Sequence, residues 1–171
     1  MRRVRDGDMA AFEQIVLRHQ AEAWRVAYRF TGDAAEAEDL AQEAFLRILD
    51  AADRYRPTAR FRTYLYRILT RLCLGHRRRK RPLLTDAWPS TADGAPSPED
   101  QTSRDERDAA IQAALDALPG DYRMAVVLRY FEGLSASEMA ESMGRSAKAV
   151  ERLLARAKSA LEPQLRHLLE P

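Results

Sequence analysis

The chain has 171 residues, 46% hydrophobic and 32% charged, which is enough apolar content to bury one good core or two small ones and too much for a disordered chain. Its apolar runs are only a few residues long, too short to span a membrane, and MRRVRDGDMAAF lacks the apolar stretch of a secretory signal, so a cytoplasmic location is expected. The net charge of +2 conceals an uneven distribution: residues 1–84 hold 18 lysines and arginines against 11 acids, and residues 85–171 hold 10 against 15.

Helical periodicity begins early. Between Asp8 and Phe30, Phe12, Ile15, Val16, His19, Ala23, Val26, Ala27 and Phe30 recur at spacings of three and four. Thr31-Gly32-Asp33 then stops that helix and starts another, with Asp33 and Glu36 spaced as a capping box. The second helix places Ala37, Leu40, Ala41, Ala44 and Ile48 on one face and Asp39, Gln42, Glu43 and Leu46 toward the other. No alternating run of β-branched residues appears, which predicts an all-α protein.

The segment from Arg54 to Arg81 carries 11 basic residues and no acid. It opens as a loop containing Arg54, Tyr55, Arg56, Pro57 and Arg60, continues as the amphipathic stretch FRTYLYRILTRL, and ends in His76-Arg77-Arg78-Arg79-Lys80-Arg81. A strip this positive attracts polyanions, with nucleic acid the leading candidate. Tyr55, Phe61 and Tyr64 are candidates for stacking on bases, and Arg67 and Arg71, four apart, share a face that can follow a phosphate backbone. Phe61, Tyr64 and Leu65 also fit a plain core. Cys73, the single cysteine, lies between leucines and fits packing, and the three histidines are too scattered for a ligand set, so neither metal nor cofactor is expected.

Residues 85–104 contain prolines, a glycine, small polar residues and acids, and read as a tether between two small helical domains, 1–84 and 105–171. The second domain begins with RDAAIQAALDAL, breaks at Pro119-Gly120, and resumes as DYRMAVVLRYFEG. Ser135 and Glu138 then form a capping box, Gly144 permits a left-handed turn, and Ser146 caps a further helix; a short helix, a glycine turn and a longer helix make a helix-turn-helix. On the longer helix Val150, Leu154, Ala157 and Leu161 form an apolar back, and Lys148, Arg152, Ala155 and Ser159 lie opposite, flanked by Glu151 and Arg156. An exposed face of that kind suits a major groove, and Arg145 to Lys158 holds 5 bases and 1 acid. A mixed-charge surface helix is the plainer reading.

Together these segments resemble the bacterial sigma factors of the extracytoplasmic-function group, the promoter-specificity subunits of RNA polymerase. GDAAEAEDLAQEAFLRIL resembles the segment that docks on the polymerase clamp, FRTYLYRILTRL the promoter-melting helix, and residues 117–161 the C-terminal helix-turn-helix domain. The resemblance implies minus-ten contacts from Arg54, Tyr55, Arg56, Arg60, Phe61, Tyr64, Arg67, Arg71, His76, Arg77, Arg78 and Arg79. It implies minus-35 contacts from Ser135, Arg145, Ser146, Lys148, Glu151, Arg152, Ala155 and Arg156, and polymerase contacts from Asp39, Gln42, Glu43 and Leu46. The implied partners are core polymerase at its clamp and flap, promoter DNA and an anti-sigma factor. The acidic tether would run through the basic channels of the polymerase. The chain departs from the family at the melting helix, where Tyr64, Arg71 and Gly75 stand in place of the frequent Trp, Asn and Asp. It departs also at Val150-Glu151-Arg152-Leu153-Leu154, where Val-Lys-Ser-Arg-Leu is common. A helix-turn-helix regulator acting without polymerase is the rival reading. An enzyme is the other rival, but with no phosphate loop, metal-ligand spacing or nucleophile beside a base in the sequence its catalytic roles lack candidates, and no enzyme is expected.

Overall fold

The computed structural model describes residues 1–56, 60–80 and 103–166, with side chains in the last segment from Glu106 onward. Its elements are α1 (Arg2–Arg5), α2 (Met9–Thr31), α3 (Ala34–Asp50), a 3-10 turn (Ala52–Arg54), α4 (Phe61–Lys80), α5 (Ser103–Ala117), α6 (Gly120–Val126), a π-helical turn (Val127–Phe131), α7 (Ala136–Met143) and α8 (Ala147–Leu165). Among the described residues there is no strand, as the all-α reading requires. The tether expected at 85–104 lies outside the described residues except for the first two positions of α5.

Local chemistry explains the boundaries. The Asp8 carboxylate accepts from the Ala11 amide at 2.9 Å and starts α2, and Gly32, at a φ of 76° that disfavours any Cβ, ends it. Asp33 caps α3 by accepting from the Glu36 amide at 2.9 Å, but the reciprocal half of the expected box is missing. The Glu36 carboxylate is drawn instead to the basic end of α4, where it meets His76 and Lys80, and the Asp33 amide bonds the Thr31 hydroxyl at 3.3 Å.

The first bundle packs Ala23, Val26, Ala27 and Phe30 of α2, Ala37, Leu40, Ala44 and Ile48 of α3, and Leu65, Leu69 and Leu72 of α4. Each fully buried Leu, Ile or Phe contributes about 1.5–3 kcal/mol. The second group forms around Leu128, Leu134, Met139 and Val150, with a smaller cluster of Leu115, Leu118, Val126 and Ala157 beneath α5 and α8.

The two groups lie against each other, and one continuous buried cluster runs through both. At about 100° per residue, Leu65, Leu69 and Leu72 share one face of α4, while Thr63, Tyr66, Thr70 and Cys73 occupy the adjoining face. Both faces are buried, and α4 packs on α2 and α3 and also on α6 and α7. Gly120 permits the approach: a Cβ there would stand 3.2 Å from Leu74 Cδ2 and 3.3 Å from Arg77 Cδ.

Candidate nucleic-acid interface

Burying two faces of α4 leaves a third for solvent. Arg60, Tyr64, Arg67, Arg71 and Arg78 fall along it, and all four arginines are exposed. Tyr64 is half-buried, its ring edge-on to Tyr55 with centroids 5.1 Å apart, and Phe61 stands 6.4 Å beyond Tyr64. Burial pushes the Tyr64 phenol above its ordinary range, so at neutral pH it keeps a neutral ring and a donor hydroxyl. Arg54 and Arg56 are exposed at the mouth of the loop before α4; Pro57 and Arg81 lie outside the described residues.

The basic run at the end of α4 divides. Arg78 and Arg79 are exposed, whereas His76 is 2.8 Å from a Glu36 oxygen through Nε2 and Arg77 donates to the Leu118 carbonyl at 2.8 Å. His76 and Arg77 are therefore spent on holding helices together in this arrangement. The structure does not bring them to the exposed stripe.

A second exposed face belongs to α8. Val150 and Ala157 are fully buried at its back, and Lys148, Glu151, Arg152, Ala155 and Arg156 are exposed at its front. The turn before it is built as expected: the Ser135 hydroxyl accepts from the Glu138 amide while the Glu138 carboxylate accepts from the Ser135 amide, and Gly144 sits at a φ of 63°. Ser146 caps α8 by accepting from the Ala149 amide at 3.3 Å. Both serine hydroxyls thus do structural work. Arg145 reaches back to the Asp121 carboxylate at 2.5 Å, which joins the turn to α6. The amino end of α8 and its flanking cations present partial and full positive charge to the same side.

On α3, Asp39, Gln42, Glu43 and Leu46 form one stripe opposite the core. Leu46 is 56% exposed among polar neighbours. Glu43 accepts from Arg47 at 2.7 Å and Gln42 donates to Glu38 at 3.2 Å, so the stripe is held within its own helix.

One cluster escapes a reading of the sequence. Arg62 donates through Nε to Glu22 and through its terminal nitrogen to both the carbonyl and the carboxylate of Glu132, each at 3.0 Å. The Tyr66 hydroxyl lies within bonding reach of Glu22 and 2.5 Å from Glu132. A phenol has one proton, so it serves one carboxylate at a time while Arg62 supplies the charge both need. Burial works to raise the Glu22 carboxyl, but hydrogen bonds from Tyr66, His19 and Arg62 outweigh it and hold Glu22 below its ordinary value. Elsewhere between the two groups, Arg123, 3% exposed, donates to the Phe30 carbonyl at 2.6 Å. The available signal was Arg62 and Tyr66 at i and i+4 in α4; their partners are 40 to 70 residues away.

Residues 15–82 match the family described as sigma-70 region 2, and residues 108–161 match sigma-70 region 4. The chain is 35% identical to the RNA polymerase sigma-H factor of Pseudomonas aeruginosa, over 98% of this chain and 92% of that protein. It is 34% identical to the ECF RNA polymerase sigma factor SigW of Bacillus subtilis, over 98% and 96%. Among solved structures it is similar to CnrH in complex with the cytosolic domain of CnrY, with a TM-score of 0.72, 25% identity, and coverage of 96% of this chain and 94% of that one.

Proposed function

Since the chain belongs to the extracytoplasmic-function sigma factors, which direct RNA polymerase to promoters, we propose a division of labour among its three exposed faces. The stripe on α3 docks on the polymerase clamp, the stripe on α4 takes the melted minus-ten strand, and the front of α8 reads the minus-35 duplex. The observation that carries this reading is the α4 stripe: Arg67, Arg71 and Arg78 are exposed along the helix face that starts at the Tyr64–Tyr55 ring pair, and no acid interrupts the sequence from Arg54 to Lys80. Cations track a backbone and aromatic faces stack on unpaired bases, which is what a separated strand requires and a duplex does not.

An extruded base costs a few kcal/mol, and stacking with edge hydrogen bonds offsets that cost. Arg54, Tyr55, Arg56, Arg60, Phe61 and Tyr64 surround the place where the offset arises. At α8, Lys148, Arg152 and Arg156 contact phosphates, and Glu151 accepts from an exocyclic cytosine amine, the pairing its carboxylate favours in the major groove. CnrH was solved with a second protein chain bound to it, and an anti-sigma partner for this chain follows from the same likeness. Residues 85–104 connect the two DNA-binding groups.

The deciding experiment adds the purified chain to core polymerase and maps, on genomic DNA, where transcripts begin. Site-selective RNA that appears only when both are present supports the reading. Sequence-specific duplex binding by the chain alone, with no effect on polymerase, would establish the stand-alone regulator instead.

A further inference from the structure

The seam between the two helical groups is more polar than the cores on either side of it. Leu74 and Arg77 of α4 meet Gly120 and the Leu118 carbonyl of the second group, and at about 100° per residue Thr63 and Thr70 fall on that same side of the helix. Both threonines are buried, and the Thr70 hydroxyl has no hydrogen-bond partner among the described residues. The opposite side of α4 is leucine, at 65, 69 and 72. Contacts between groups that part are more polar than permanent ones, because their polar atoms return to water. The other bonds across the seam fit this. Arg123 and Gln112 donate to the Phe30 and Arg29 carbonyls, at 2.6 and 3.4 Å, in the last turn of α2. Such carbonyls have no partner within their own helix, so water takes them when the groups separate.

The ionic centre of the seam is arranged so that one member leaves and none is stranded. Glu22, Arg62 and Tyr66 belong to the first group, and Glu132 alone comes from the second. On separation Arg62 keeps its pair with Glu22, the Tyr66 proton goes wholly to Glu22, and Glu132 passes to water. Separation is also what the promoter demands. Because α4 and α8 both pack on α7, and packed helices lie about 8–10 Å apart, the α4 stripe and the front of α8 stand within roughly 40 Å of each other. Elements at minus-ten and minus-35 are about 25 base pairs, or about 85 Å, apart along B-form DNA. The 22 residues from 81 to 102 reach at most about 80 Å, which lets the groups move apart. We propose that the seam is a self-inhibitory latch: Glu132 is its release point, Glu22 is the acceptor that keeps Arg62 and Tyr66 satisfied once it opens, and core polymerase binds the open form. The inference rests on the assignment of α4 and α8 to separate promoter elements.

The test uses the full chain with spin labels at two exposed positions, Gln20→Cys and Glu162→Cys, and reads the distance between them by double electron resonance; the native Cys73 is fully buried and stays unlabelled. The free chain is expected to give mainly a short distance, and saturating core polymerase a long one. Glu132→Gln removes a charge that only the closed form pairs, and is expected to raise the ratio of open to closed about tenfold without polymerase. Glu22→Gln removes the acceptor on which the open form depends, and is expected to lower that ratio. A cluster that merely supports the fold would shift both variants the same way. Since a closed population weakens apparent affinity by the competent fraction, Glu132→Gln is also expected to bind core polymerase several-fold more tightly. Glu132→Asp, with a shorter reach to Tyr66, is expected to give a smaller shift in the same direction, and carries the test where the glutamine variant fails to fold. A free chain already at the long distance, or shifts of the same sign at 22 and 132, overturns the latch and leaves the promoter faces as assigned. A chain that ignores core polymerase overturns that assignment, and the distances in the free variants still decide the latch.

Discussion

Thr70 is 2% exposed in α4, and its hydroxyl oxygen has no hydrogen-bond partner among the described residues. A buried polar atom left unpaired costs about 1–3 kcal/mol, so an isosteric apolar side chain should be preferred there. Thr70→Val is expected to raise stability by about 1 kcal/mol, read from the urea midpoint at unchanged m-value. Cys73, three residues on, is fully buried, and burial pushes its thiol up to about 12. Reaction with thiols requires the thiolate, so the folded protein is expected to resist a disulfide reagent and to react with one equivalent only after unfolding. Fast labelling of the native chain would show that the packing around α4 opens easily.

The element that most plainly separates structure from binding is α8. Its back is fixed by Val150 and Ala157, and its amino end by the Ser146 cap, so changes on the front face should leave the fold intact. Arg152→Ala is expected to weaken promoter engagement uniformly across sequences and to reduce the salt dependence by about one unit of slope. A slope equal to that of the unmodified protein, measured by titration at several salt concentrations, would remove Arg152 from the phosphate contacts. Arg145 behaves differently, because its pair with Asp121 ties the turn to α6 and its loss disturbs position as well as charge.

For the whole molecule, the seam between the two helical groups matters most. Glu22 belongs to the first group and Glu132 to the second, and Arg62 and Tyr66 bind both. Glu22 has its carboxyl lowered from an ordinary 4.5, so the charged form favours the folded chain. That stability is complete above 4.5 and is lost as the pH falls through the depressed folded value. Glu22→Gln is expected to be less stable near neutrality and to show a flatter decline as the pH falls below 4.5 in urea unfolding. Glu132→Ala strips Arg62 and Tyr66 of a partner from the second group. It is expected to increase the radius of gyration in solution scattering while helix content is retained, and an unchanged radius would show that the apolar cluster alone holds the groups together.

Much of this molecule was legible in the order of its residues. The caps at Asp33, Ser135 and Ser146 and the stops at Gly32 and Gly144 depend on atoms three or four residues apart, and the faces of α3 and α8 follow from helical period alone. Those interactions are local, so the sequence determined them unaided. Only the tertiary structure decided the rest: which two faces of α4 are covered, why Glu36 leaves its box for His76 and Lys80, why Arg77 turns to Leu118, and how Arg62 and Tyr66 find Glu22 and Glu132. Each of those depends on charges and apolar surfaces brought together from distant parts of the chain. Local spacing has no record of such a meeting, because it exists only once the helices have packed.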